Sequence, residues 1–247
     1  MSDKYDLIVV GGGPGGMEAA QTAAQKKKRV LIIEKNGWGG TCAHRGCIPT
    51  KALLSCSKSY MELKKLKRFG VHVDGTSVDF MAMKKHRDQM VKIAAMGAQK
   101  GLADAQVEAK SGTGEILSPC EVQLIEPSGQ SQLLETKNIL IAWGSEPQFL
   151  PDIQTSERIM TSDGILDLTT LPSGMIIVGG SFIGVEYATV FAELGVKVIL
   201  VELLDRILPQ EDEEAAEFLT QELARLGIAV HTSTELISLK ESEAGVV

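Results

Sequence analysis

Two stretches of the chain follow the same order of apolar run, glycine cluster, helical spacing and second apolar run. Residues 5–10 read as a buried strand and the glycines after them as a turn. Ala19, Ala20, Ala23 and Ala24 then suit a helix packed closely on a sheet. Beyond the basic run 26–29, a second apolar run, 30–33, ends in Glu34. The pattern returns downstream. Residues 175–178 are apolar, 179–184 are glycine-rich, 185–194 have helical spacing, and 196–201 form a strand ending in Glu202. Each stretch is a strand–helix–strand unit, which predicts an α/β protein with the same device built twice.

Between the copies, residues 48–69 and 78–100 carry helical spacing. Residues 105–110, 121–126 and 138–142 read as strands separated by Gly, Ser and Pro turns. Pro147 and Pro151 interrupt the pattern, which puts a boundary near 149–151 and gives domains of 1–148 and 149–247. The second domain ends among strand-like fragments with no terminal helix, so it is expected to be truncated.

Composition narrows the class. Of 247 residues, 44% are apolar, 23% are charged, and 25 are Gly, the balance of a globular α/β protein. The net charge of −7 offers no basic field for nucleic acid or an anionic membrane. No apolar run approaches the roughly 20 residues of a membrane span. The polar start at 1–6 runs straight into a strand, with no targeting segment, so the chain reads as a soluble cytoplasmic protein. Four cysteines without a sign of secretion point to catalytic or metal-binding thiols.

Gly11, Gly13 and Gly16 form G-x-G-x-x-G with Pro14 inside it, after a strand and at the start of a helix. Such glycines allow a tight turn, close approach of backbone N–H groups to a pyrophosphate, and close helix–strand contact. Glu34, at the end of the next strand, can accept from ribose hydroxyls. This is the Rossmann fingerprint of a dinucleotide site. In the second copy, Gly179-Gly180-Ser181-Phe182-Ile183-Gly184, serine replaces the middle glycine. Glu202 suits a free 2′-hydroxyl, and Arg206 is the one cation close by, so NAD(H) is expected over NADP(H).

Between the two fingerprints stands Gly39-Gly40-Thr41-Cys42-Ala43-His44-Arg45-Gly46-Cys47-Ile48-Pro49-Thr50-Lys51. Thiols five residues apart can form a disulfide where a helix start is distorted, and Gly46 and Pro49 permit distortion. The positive end of a helix dipole favours a thiolate there. A zinc site wants four ligands; His44 lies between the thiols, but no second ligand pair is near. An inert buried pair is the remaining alternative.

This stretch closely resembles the redox signature of the pyridine nucleotide disulfide oxidoreductases, the dihydrolipoamide dehydrogenase branch in particular. The likeness extends to both fingerprints, to residues 139–147 and to Thr161-Ser162-Asp163. His44 departs from the usual Asn, and Trp143 from the usual small Thr.

The resemblance implies an FAD-binding domain with a redox-active disulfide followed by an NAD-binding domain. Cys42 would meet substrate and Cys47 would lie next to the flavin, with Lys51 near the flavin and paired to Glu186. Cofactor contacts would also come from Lys35, Gly40, Thr41, Gly114, Trp143, Gly144, Ser145, Gly184 and Leu236. Gly112 and Gly114 resemble a loop at a strand end that passes the adenine side of FAD. The implied reaction carries electrons from a protein-bound dihydrolipoyl group, or a small dithiol, through Cys42 and Cys47 and FAD to NAD+, with a homodimer expected for the full-length family member. Glutathione or mercuric reductase-like activity, or a noncatalytic FAD-binding fragment, are the other readings. None of the four histidines stands in the context of the family's catalytic base, so this chain alone is expected to be inactive. Cys56 and Cys120 read as core or surface thiols, and no metal is expected.

Overall fold

A computed structural model describes residues 4–150, 153–243 and 245–247. Residues 1–3 of the polar start and Pro151 at the expected boundary lie outside the described residues. The architecture is α/β with parallel sheets, as the repeated pattern predicts. The chain divides into two compact units, one of Met1–Pro49 and Asp88–Glu146, the other of Thr50–Arg87 and Pro147–Val247.

In the first unit, β1 (Leu7–Val10) leads through α1 (Pro14–Gln25) to β2 (Val30–Glu34), and a short helix, α2 (Gly40–His44), follows. Two long helices, α3 (Cys47–Lys65) and α4 (Phe80–Asp104), each start in one unit and end in the other. Then come β3 (Glu108–Ser111), β4 (Thr113–Ser118), β5 (Glu121–Ile125), β6 (Ser131–Glu135) and β7 (Ile139–Ile141). Strands β3, β2, β1 and β7 lie in that order in one parallel sheet. Its two faces are both buried. Val9, Val30 and Ile32 pack with Ala20, Trp38, Leu102 and Val107, while Ile8, Val10, Leu31 and Ile33 pack against Val122, Leu124 and Leu134 of the antiparallel sheet β4-β5-β6. Burial on both faces is why the central strands β1 and β2 are unbroken apolar runs.

The antiparallel sheet corrects the expected placement of Gly114. It is not in a loop: it lies within β4, opposite Leu124. A Cβ there would come within 3.1 Å of Val10 Cγ1 and 3.3 Å of Ile33 Cδ1, so the glycine lets β4 approach the parallel sheet. Gly112 is the residue between β3 and β4.

Tyr5 closes this core at its edge. Its hydroxyl donates to Glu108 Oε2 at 2.8 Å, and the Arg29 guanidinium lies 4.5 Å from the ring centroid. Burial, aided by Glu108, pushes the hydroxyl up from 10.0 to about 12. A folded-state value above the unfolded one means that the contribution is complete below pH 10.0 and lost as the pH rises to about 12. Urea midpoints measured across that window should fall less steeply in Tyr5→Phe than in the native chain.

The second unit repeats the plan with α5 (Ser162–Ile165), β8 (Gly174–Val178), α6 (Phe182–Glu193), β9 (Lys197–Val201), α7 (Glu213–Arg225), β10 (Ala229–His231) and the hairpin β11 (Glu241–Ser242) and β12 (Gly245–Val246). Strands β10, β9 and β8 form a parallel sheet. Phe191, Val198, Leu200, Ile207, Leu223 and Ile228 fill its core. Sequence reasoning assigned no helix to 213–225. It is capped by Asp212, whose carboxylate accepts from Ala215 N, with Glu213 and Glu214 at the positive end of the dipole. Ile176, Val178 and Ile199, on the other face of the sheet, are all exposed. Among the described residues no helix is long and apolar enough to cross a membrane.

Candidate functional site

The two fingerprints fold alike. A Cβ on Gly16 would lie 2.0 Å from Gly11 O, and one on Gly184 would lie 1.9 Å from Gly179 O. Only glycine lets the helix start this close to the turn beneath it. At each strand end a glutamate then reaches back to the glycine turn. Gly12 N donates to Glu34 Oε2 at 2.6 Å, and Asn36 N and Gly37 N donate to Oε1 at 2.7 and 3.2 Å. Gly180 N donates to Glu202 Oε2 at 2.6 Å, and Leu204 N to Oε1 at 2.8 Å. The strand-end positions of Glu34 and Glu202 are legible in the sequence; their amide contacts are not, because backbone donors leave no mark in the residue pattern.

The starts of the two fingerprint helices share a further trait. Neither Gly13 before α1 nor Ser181 before α6 caps its helix with a side-chain hydrogen bond. Thr161 before α5 and Asp212 before α7 both do. No N-cap side chain therefore competes for the first-turn N–H groups of α1 and α6, as an anion site requires. Around the first turn the chain is lined by backbone: a Cβ on Gly40 would stand 2.7 Å from Gly13 Cα. A pyrophosphate group suits this cradle in kind, because glycine backbone lines it beside the Glu34 carboxylate.

The thiol pair spans a break between two helices. Cys42 sits in α2, and Cys47 is the first residue of α3. The expected distortion of a single helix is instead a separation into two at Arg45 and Gly46, where a Cβ on Gly46 would be 3.6 Å from Cys42 Cα. Cys42 is half-buried and Cys47 exposed, and the two are not joined by a disulfide. A cavity of about 340 Å³ opens beside Cys42, lined by Pro14, Met17, Gln21, Ile48 and Ala98 among others. His44, in the position of the usual Asn, has Nε2 3.1 Å from Trp38 O. Among the described residues no group of three or more His, Cys, Asp or Glu side chains is placed to hold a metal. Burial raises the Cys56 thiol above its usual range, and Cys120 is exposed.

Lys51 and Glu186 meet in the second unit. Lys51 Nζ lies 2.7 Å from Glu186 Oε1 and 2.9 Å from Oε2. Two neighbours that sequence reasoning passed over join the same helices: Thr50 bonds to Tyr187, and Ser57 Oγ donates to Glu193 Oε2 at 2.5 Å. Thr50 lies inside the signature and Tyr187 follows Glu186, so their positions were the available signal. The other expected contacts are more scattered. Thr41, Lys35, Pro14, Trp143, Gly144, Ser145, Ser181, Phe182 and Ile183 are exposed, and Leu236 is half-buried in the irregular segment after β10.

The comparisons with known proteins agree with this arrangement. The chain is 37% identical over 244 residues to the dihydrolipoyl dehydrogenase of Chlamydia pneumoniae, covering 98% of this chain and 52% of that protein. It is 40% identical over 233 residues to a dihydrolipoyl dehydrogenase of Bacillus subtilis, covering 93% and 51%. The crystal structure of LpdA from Mycobacterium tuberculosis superposes with a TM-score of 0.87 at 27% identity, over 97% of this chain and 54% of that one. The HOCl-induced flavoprotein disulfide reductase RclA of Escherichia coli gives 0.79 at 26% identity, over 98% and 52%. The chain thus spans about half the length of the curated relatives it matches. The family model of the pyridine nucleotide-disulphide oxidoreductases matches residues 5–246, and the chain belongs to that family.

Proposed function

We propose that this chain carries the dithiol and both dinucleotide sites of an FAD-dependent, NAD-linked disulfide oxidoreductase of the dihydrolipoyl dehydrogenase type. The observation that carries the reading is the same glutamate-to-glycine contact built twice, at 2.6 Å in each unit, in a chain with one closely spaced thiol pair. FAD would be held by the turn 11–16, Glu34 and the Gly39-Gly40-Thr41 segment. NAD would be held by 179–184 and Glu202.

Each thiol has its own task. In the oxidised protein, a substrate thiolate attacks Cys42 Sγ, the Cys42–Cys47 bond breaks, and Cys47 departs as a thiolate. The second substrate thiol then gives its proton to solvent and attacks the substrate sulfur of the mixed disulfide. The substrate leaves as a cyclic disulfide and Cys42 as a thiolate, so two electrons now reside on the cysteine pair. FAD, when bound, supplies the two-electron relay from this dithiol to NAD+. Lys51, one helical turn beyond Cys47 and neutralised in part by Glu186, would place a positive charge where reduced flavin gains a negative one.

Lipoyl-bearing proteins are the proposed substrates and a homodimer the proposed assembly, after the relatives named dihydrolipoyl dehydrogenase. A thiol pair that works by exchange suits the reducing cytoplasm, the compartment we propose. The test is to load the chain with FAD and add dihydrolipoamide without oxygen. Bleaching of the bound flavin supports the reading; a chain that takes up neither FAD nor NADH overturns it.

Nucleotide choice gives a second check. Glu202 accepts from Gly180 N and Leu204 N, so its carboxylate is fixed where it repels a 2′-phosphate and can still accept from a 2′-hydroxyl. NADH should bind at least about tenfold more tightly than NADPH, or roughly 1.4 kcal/mol. In Glu202→Ala the preference should shrink, mainly through weaker NADH binding in a calorimetric titration.

A further inference from the structure

The second unit contains a buried polar tie that the proposed chemistry leaves unused. Tyr187 follows Glu186 on α6 and is 3% exposed; Thr50 precedes Lys51 on α3 and is 4% exposed. Thr50 Oγ1 donates to the Tyr187 hydroxyl at 3.4 Å, and that hydroxyl donates to Ser162 O at 3.3 Å, at the start of α5. Two consecutive residues of α3 are thus tied to two consecutive residues of α6. The same hydroxyl anchors both to a third segment, Thr161-Ser162-Asp163, which no other part of the proposed site uses.

The two ties differ in kind. The Lys51 side chain is 57% exposed and that of Glu186 26%, so their ion pair stands in water and salt and cannot by itself hold a lysine in one place. The Thr50–Tyr187 bond is buried and the bond to Ser162 O part-buried. A buried hydroxyl deprived of its partners is costly, which makes these bonds specific about where Thr50 lies relative to α6. Burial raises the Tyr187 hydroxyl above the ordinary tyrosine range. At neutral pH it is a donor to Ser162 O. A phenylalanine would fill the space but take one hydrogen bond from α3 and one from α5.

We infer that Tyr187 is a positioning residue: with Ser162 it fixes Thr50 on α3, and so the point at which the next residue, Lys51, presents its charge. The inference rests on the reading of Lys51 as the residue that serves the flavin. Its effect is local, since Ser57 and Glu193 hold the same two helices together farther along.

The experiment compares Tyr187→Phe, Thr50→Val and Lys51→Gln in the FAD-loaded chain. Two readouts are taken: amide hydrogen exchange across residues 50–54, and the long-wavelength absorbance that follows two-electron reduction. Tyr187→Phe and Thr50→Val should each speed exchange at 50–54 by about fivefold, the equivalent of one net hydrogen bond, with exchange in α7 unchanged. Each should also weaken the absorbance, and Lys51→Gln should weaken it without altering exchange. Unchanged exchange at 50–54, or exchange raised equally throughout the unit, overturns the positioning role. So does absorbance that responds to Lys51→Gln but to neither of the other two. Absorbance indifferent to Lys51→Gln overturns the underlying reading of Lys51 instead. Should Tyr187→Phe fail to bind FAD, Thr50→Val, smaller and nearly isosteric, decides between the outcomes.

Discussion

Cys47→Ser is expected to abolish the long-wavelength absorbance of the reduced, FAD-loaded protein, whereas Cys42→Ser is expected to keep or strengthen it. Both variants should lose all dithiol exchange, because neither can form the disulfide that a substrate thiolate attacks. Their difference tests which thiol does what. Cys42 lines the cavity on the α1 side, while Cys47 opens α3, the helix that carries Lys51 one turn later. On the proposed division of roles, the thiolate at that helix start is the one that gives charge to the flavin. Titration of each variant with dithionite under argon, followed from the visible to the near infrared, supplies the measurement. Equal loss of absorbance in both would defeat the division of roles.

Gly16→Ala and Gly184→Ala should each be severely destabilising. An added methyl would stand 2.0 Å from Gly11 O in the first case and 1.9 Å from Gly179 O in the second, distances that no side-chain rotation relieves because both partners are backbone. Helix and turn must move apart, at a cost of about 3 kcal/mol, the upper end for overpacking. Loss of the cradle geometry should carry nucleotide affinity with it. The cleanest comparison is between the two variants. Gly16→Ala should abolish FAD uptake while leaving the second unit's NADH binding in place, and Gly184→Ala should do the reverse. Thermal unfolding and both binding titrations check this; a variant with native midpoint and native affinity would refute the steric argument.

Much of the parallel sheets was legible because both faces of β1 and β2 are buried, which leaves unbroken apolar runs such as Val30-Leu31-Ile32-Ile33. The antiparallel layer was harder. In β6 only Leu134 turns inward while Leu133 is exposed, so its sequence, Ser-Gln-Leu-Leu-Glu, has neither alternation nor a run. Helix α7 was missed although its signals are local: Asp212 caps it, Glu213 and Glu214 open it, and Ala216 and Leu223 turn inward. The thiol pair, the two glycine turns and the strand-end glutamates could all be named from spacing. What spacing could not supply was any contact made by backbone or by residues far apart in sequence. The tie from Thr50 to Tyr187 crosses 137 positions, and the amide donors to Glu34 and Glu202 are invisible to residue identity.

Those amide donors bear on the cost of recognition. A glutamate on an open surface samples many rotamers, and freezing one on a ligand typically costs about 0.5–1.5 kcal/mol. Glu34 and Glu202 have already been frozen by the fold, each with both carboxylate oxygens fastened to peptide N–H groups of its own unit. A carboxylate offers about four lone-pair positions, so acceptor capacity remains in both. In the proposed sites, the entropy of arranging the ribose acceptor is thus met once, during folding, and no arriving dinucleotide has to meet it again.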